Sequence, residues 1–143
     1  MKQVVLPTLI FGSVENLVDI RGGTNASMAP QIDYAVEVFG PIAAKMGVQF
    51  SCKIKKRGYF PKGMGQVHLK ATPIACLKPL ELLERGTVQS TTIRSFVSRC
   101  DRTDAEKALR NARTIIEGRL GGHAFVENVV VETNTVGAAK GLM

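Results

Sequence analysis

Two stretches of this chain carry residue types and spacings that suit phosphate chemistry. The first runs Ile20-Arg21-Gly22-Gly23-Thr24-Asn25-Ala26-Ser27-Met28-Ala29-Pro30-Gln31-Ile32-Asp33. Glycines and small residues let a backbone approach a ligand closely, and a helix start aims free N–H groups at an anion. The spacing is neither a Walker A loop nor the dinucleotide fingerprint. Taken alone, the loop reads most simply as a tight strand-to-helix turn. The second stretch is Lys56-Arg57-Gly58-Tyr59-Phe60-Pro61-Lys62-Gly63-Met64-Gly65-Gln66-Val67. Charge alone marks Lys55, Lys56, Arg57 and Lys62 for phosphate contact. Tyr59 and Phe60, set among these charges, suit either base stacking or anchoring of the loop on a sheet.

The charge is localised. The net formal charge is +7, with a pI near 9.6. Between Glu37 and Glu81 there is no acidic residue, while Lys45, Lys53, Lys55, Lys56, Arg57, Lys62, Lys70 and Lys78 all fall in that interval. Such a patch attracts a polyanion and makes binding salt-dependent. A basic strand face that only blocks edge pairing is the plainer alternative. Nucleophiles are scarce. His68 sits on a strand pattern and His123 follows Gly121-Gly122, both of which are ordinary surface positions. Cys52, Cys76 and Cys100 are odd in number and form no C-x-x-C pair, so neither a zinc site nor a disulfide framework is indicated and a reducing compartment fits.

These stretches need elements to position them. Met1 to Phe11 is apolar on nearly every side, reads as a buried helix, and contains Pro7. Leu17 to Arg21 alternates as a strand. Pro30 is placed in the first turn of the next helix, with Asp33 near the positive end of the helix dipole. Ile32, Ala35, Val36, Phe39, Ala43 and Met46 make its apolar stripe. Gly40-Pro41 must kink that helix or split it in two, and Gly47 stops it. Val48 to Lys56 and Gln66 to Ala71 alternate as the arms of a long-looped hairpin. Its outward face carries Lys53, Lys55, His68 and Lys70. Ile74 to Arg85 is an irregular connection with one helical turn. Thr87 to Ser98 reads as a strand. Thr103-Asp104-Ala105-Glu106 forms a capping box for a helix with Ala105, Ala108, Leu109, Ala112, Ile115, Ile116 and Leu120 on its apolar stripe. Phe125 to Thr133 is a last strand, and residues 137–143 show no pattern.

The order and distance of the two motifs resemble the RNA 3′-terminal phosphate cyclase family. That family carries a Gly-Gly-Thr-Asn-x-x-Met-Ala-Pro-Gln-Ile-Asp segment followed by Arg-Gly-x-x-Pro-x-Gly-Gly-Gly-x-Val. The departure here is Met64, standing at the middle glycine of the triplet. The resemblance implies an ATP-dependent ligase, assisted by Mg2+, that converts an RNA 3′-phosphate to a 2′,3′-cyclic phosphate through an adenylylated histidine. It implies that Gln3 and Pro30 touch the adenine nucleotide and that RNA 3′ ends are the partner. The family's histidine segment lies near the end of a considerably longer chain, and its early glutamate and arginines would precede Met1. This chain therefore reads as a middle portion, inactive alone. A non-catalytic cyclase-like RNA-binding protein of ribosomal RNA maturation is the alternative.

The expected architecture is α+β in two layers. A βαββ-type module of the cyclase main domain, residues 1–84, precedes a partial β-α-β insert domain, residues 85–143. The family's main domain repeats a βαβαββ module like the C-terminal domain of a bacterial translation initiation factor. Hydrophobic content of 45% and 22% charged residues exclude a disordered chain. No stretch is long and apolar enough for a membrane span, and no signal peptide is visible. The expected compartment is the nucleus in a eukaryote and the cytoplasm otherwise.

Overall fold

The computed structural model describes residues 2–26, 28–120 and 124–143, with residues 2–4 described by backbone alone. Ser27, Gly121, Gly122, His123 and the side chain of Gln3 lie outside the described residues. The chain divides into two compact units, Met1–Leu82 and Leu83–Met143. Within the first unit, helix α1 (Lys2–Ile10) leads to strand β1 (Asn16–Gly22). A helical layer follows as α2 (Ile32–Tyr34), a π-helical turn (Ala35–Phe39) and α3 (Gly40–Lys45). Strands β2 (Gln49–Gly58) and β3 (Gly65–Thr72) complete the unit.

The three strands lie in the order β1-β3-β2, antiparallel throughout. Their registers stack Val18, Leu69 and Cys52 on one row, and Ile20, Val67 and Ile54 on the next. The period-two pattern puts these apolar residues on one face, where the helices cover them. The core is Leu6, Leu9 and Ile10 of α1, Ala43 of α3, and Val48, Leu69 and Ala71 of the sheet side. Each large aliphatic side chain buried this way contributes about 1.5–3 kcal/mol relative to exposure. Only one side of α1 is buried, since Pro7, Thr8 and Phe11 face out.

The break at Gly40-Pro41 takes a specific form. Proline has no N–H, and its ring would clash with the carbonyl four residues back. The chain widens into the π-helical turn immediately before it, and the Gly40 N–H donates to Ala35 O. The helix then restarts with Pro41 in the first turn of α3. Pro30 is not in a first turn. The helix begins at Ile32, whose amide donates back to Thr24 O at 3.1 Å, and this closure holds Pro30 outside it. The expected stripe is also narrower, because Ile32 and Ala43 are buried while Val36 and Phe39 are exposed.

The second unit is a sheet with β5 (Ala124–Val131), β4 (Ser90–Ser98) and β7 (Ala139–Leu142) in that order. Strands β4 and β5 are parallel and joined by helix α4 (Arg102–Leu120), giving the expected β-α-β unit. A two-residue strand β6 (Thr135–Val136) and strand β7 follow. β7 pairs antiparallel with β4 although its sequence shows no alternation, and Gly141 passes directly against the Phe96 ring. Ile93, Phe96 and Val97 of β4 are buried with Ala105 and Leu109 of α4. Ser98, fully buried, shares a 2.6 Å hydrogen bond with Thr135.

Two local expectations fail. Residues 73–89 form no helical turn; the Ile74 and Lys78 amides donate to Ile10 O and Met46 O instead, and Pro79 has no N–H to give. Helix α4 starts one residue before the expected box, at Arg102, so Asp101 rather than Thr103 caps it. The Asp101 carboxylate accepts from the Thr103 N–H at 3.0 Å. The apolar stripe of α4 also runs out of cover, with Ile115 and Leu120 exposed.

Candidate functional site

The two motifs meet at one end of the first unit's sheet. The Thr24 amide donates to Gly58 O at 2.9 Å, and the Thr24 hydroxyl accepts from the Gly58 N–H at 3.2 Å. Asn25 forms an isolated parallel bridge with Tyr59. Gly22 pairs with Gly65 across β1 and β3. Three segments pass so closely here that glycine is a geometric requirement. A Cβ on Gly65 would sit 2.7 Å from Gly58 N and 2.8 Å from Gly22 O. On Gly58 it would overlap the Gly63 and Gly65 backbone.

A bulge decides where the charges point. The β2–β3 register shifts between Ile54 and Lys56, so Lys56 rather than Lys55 pairs with Gln66. Strict alternation would have kept Arg57 on the outer face with Lys53 and Lys55. The bulge reverses the parity and turns Arg57 to the helix side. There Arg57 Nη2 and Nη1 donate to Asp33 Oδ1 and Oδ2 at 2.6 and 2.7 Å, and Nη1 reaches Asn25 Oδ1 at 3.4 Å. Both partners are nearly dry, with side chains 16% and 10% exposed. Arg57 thus joins the two motifs internally, its guanidinium engaged by Asp33. Charge along the sequence could not reveal this, because the partner lies 24 residues upstream and the bulge leaves no local signature.

The other predicted residues sort clearly. Lys55 and Lys62 are exposed and Lys56 is half-buried. The outer face is a mixed lattice rather than a purely positive one. Lys70 pairs with Glu15 at 2.9 Å, Arg21 lies 3.5 Å from Asp19, and Gln66 donates to Asp19 at 2.7 Å. Across the three strands the last outer row before the hairpin tip is Arg21, Gln66 and Lys56. Tyr59 is buried and Phe60 exposed, so the two aromatics have different roles. Met64 adopts φ 52°, a left-handed conformation that favours glycine. This gives a physical reason for a glycine at that position in the motif.

On the helix side a groove of about 720 Å³ opens between the sheet and the helical layer. Gly22, Gly23, Ala29 and Pro30 line it together with apolar side chains that include Phe39 of the helical layer and Phe50 and Leu69 of the sheet. Gln3 belongs to α1. His68 lies on the outer face, in register with Asp19 and Lys53, so the sheet separates it from the groove. Among the described residues no three His, Cys, Asp or Glu side chains converge as a metal ion would require. No described helix is long and apolar enough to cross a membrane.

Comparison with known proteins agrees with the motifs. A family model described as RNA 3′-terminal phosphate cyclase matches residues 1–138. An RNA 3′-terminal phosphate cyclase of Staphylothermus marinus is 35% identical over 132 residues, covering 92% of this chain and 36% of the relative. A probable RNA 3′-terminal phosphate cyclase of Dictyostelium discoideum is 35% identical over 143 residues, covering 98% of this chain and 32% of the relative. An RNA 3′-terminal phosphate cyclase of Methylococcus capsulatus is 33% identical over 137 residues, covering 95% and 38%. The chain thus spans about a third of the length of the curated relatives it matches. With both motifs locked together at one end of the sheet and a family match over nearly its whole length, this chain belongs to the RNA 3′-terminal phosphate cyclase family.

Proposed function

We propose that this chain forms part of the adenylate and RNA-end pocket of an ATP-dependent RNA 3′-phosphate cyclase. The observation that carries the reading is the convergence of the two motifs beside the groove, with Pro30 on its wall and lysines on the adjoining ribbon. In the complete reaction, activation of the RNA 3′-phosphate with AMP gives it a good leaving group, and the vicinal 2′-hydroxyl then closes a 2′,3′-cyclic phosphate. An apolar slot of this size fits the flat, largely apolar adenine ring of ATP. Pro30 packs against that ring, and the family resemblance adds Gln3 as a second nucleotide contact. The small residues at 22–23 let the backbone come close. The latch between Arg57 and Asp33 keeps the Pro30 loop from collapsing into the slot. Lys55, Lys56 and Lys62 hold RNA phosphates. Among the described residues no three His, Cys, Asp or Glu side chains gather around a possible Mg2+ position.

His68 is on the wrong side of the sheet to attack a nucleotide in the groove, and His123 lies outside the described residues. We therefore expect no stable adenylylated protein when this chain is incubated with α-labelled ATP and Mg2+; a labelled band overturns that expectation. The nucleotide site is tested by photolabelling with 8-azido-ATP and peptide mapping. Label within residues 20–35 supports the reading, and label confined to the second unit overturns it. Binding of a 3′-phosphorylated RNA oligonucleotide tests the other half. Neutralising Lys55, Lys56 and Lys62 together is expected to reduce the slope of log K against log salt by about 2, at ~0.7 per single-strand phosphate contact. An unchanged slope removes the ribbon from the interface.

A further inference from the structure

Consecutive aromatics at the hairpin tip have opposite fates. Tyr59 is 3% exposed, while Phe60 is 83% exposed. The backbone around them is held. Asn25 bridges to Tyr59, and the Gly63 N–H donates to Tyr59 O at 2.8 Å, closing a tight turn with Phe60, Pro61 and Lys62 at its apex. The turn thus presents a bare phenyl ring to solvent in a fixed position. Its surroundings indicate a partner. Lys62 lies two residues on. The row Arg21, Gln66 and Lys56 crosses the sheet just behind the tip. Lys56 is four residues from Phe60, a reach of at most about 14 Å, so one short oligonucleotide spans both. Asp19, the nearest outer-face acid in register, is already engaged by Arg21 and Gln66.

We propose that Phe60 is a stacking platform for an unpaired base of the RNA strand whose phosphates the neighbouring lysines hold. The inference rests on the RNA-binding reading above and adds to it the residue that grips a base. An aromatic face accepts any base, because every base has a π-face, so the site is tolerant of sequence and selective for single strands. Buried Tyr59 anchors the turn, which spares the platform most of the cost of ordering itself on binding.

The test uses the full chain and a short 5′-fluorescein-labelled, 3′-phosphorylated pyrimidine RNA, with affinity read by anisotropy. Phe60→Leu keeps apolar bulk but loses the π-face. It is expected to bind the RNA at least about fivefold more weakly with an unchanged salt slope. Phe60→Tyr should stay within about twofold of the parent. Inorganic polyphosphate, which has charge but no bases, should bind the parent and Phe60→Leu alike. The chain contains no tryptophan, so Phe60→Trp gives a single indole whose emission should be quenched on adding RNA. Equal RNA affinity for the parent and Phe60→Leu overturns the stacking inference while leaving the lysine contacts standing. An indole unmoved by bound RNA does the same. If the parent chain binds neither RNA nor polyphosphate, the RNA-binding reading falls and the inference with it.

Discussion

Arg57→Ala would remove the guanidinium from beside the Asp33 carboxylate, whose side chain is 10% exposed in the intact pair. At ~4 Å between charge centres, an effective dielectric of about 20 puts the lost attraction near 4 kcal/mol. Desolvation of both ions offsets much of that in the intact pair. Breaking a buried pair by removing one partner costs about 3–5 kcal/mol. The unit concerned has 82 residues. At ~0.05–0.15 kcal/mol per residue its total stability is about 4–12 kcal/mol, so the variant should be severely weakened. Urea unfolding followed by far-ultraviolet circular dichroism reads this directly. With a slope near 1.5 kcal/mol per molar, the midpoint should fall by about 2–3 M. Arg57→Lys should recover only part of the loss, because an ammonium cannot make both bonds in the fork geometry. The double variant Asp33→Leu with Arg57→Met removes both charges at similar volume and should return to within about 1 kcal/mol of the parent. If Arg57→Ala costs less than about 1 kcal/mol, the pair is hydrated and the latch reasoning is wrong.

Other outcomes follow from individual positions. Gly65→Ala forces a methyl to 2.7 Å from Gly58 N and 2.8 Å from Gly22 O. Backbone cannot yield there as a side chain does, so a loss of about 3 kcal/mol or failure to fold is expected in thermal melts; a melting point within a degree or two of the parent would show that the three segments have room to part. Met64→Gly relieves a left-handed methionine at φ 52° and should stabilise by about 0.5–1 kcal/mol after the entropy cost of glycine, while a destabilised variant would show the Met64 side chain to be a packing contact. The Asp101 carboxyl is held below its ordinary value of 3.8, first by the Thr103 N–H and then by the Thr103 hydroxyl. A depressed carboxylate stabilises the fold above its unfolded pKa and loses that contribution as pH falls through the folded value. Helicity should thus weaken on acidification below about pH 4, and Asp101→Ala should flatten that part of the pH profile; identical profiles would mean the cap does not hold α4.

Much of the architecture was legible without coordinates. The alternation of Val48 to Lys56, the helical spacing around Ile32 and Ala43, and the punctuation at Gly40-Pro41 and Gly47 are local signals. Local geometry obeys them, because period and backbone restriction act within a few residues. The two motifs also named their family. What the sequence could not settle was direction and partnership. Whether Arg57 faces water or Asp33 depends on one extra residue in β2, between Ile54 and Lys56. That bulge is seen only in the pairing of β2 with β3. β7 went unread because Ala139-Lys140-Gly141-Leu142 has no period of its own; it becomes a strand only because the edge of β4 supplies its hydrogen bonds. The separate fates of Tyr59 and Phe60 likewise hang on the bridge to Asn25, 34 residues earlier. Chemistry at this site is written in residue types, but its aim is decided by contacts between distant segments, since a strand's parity and a loop's anchor are properties of pairs rather than of either segment alone.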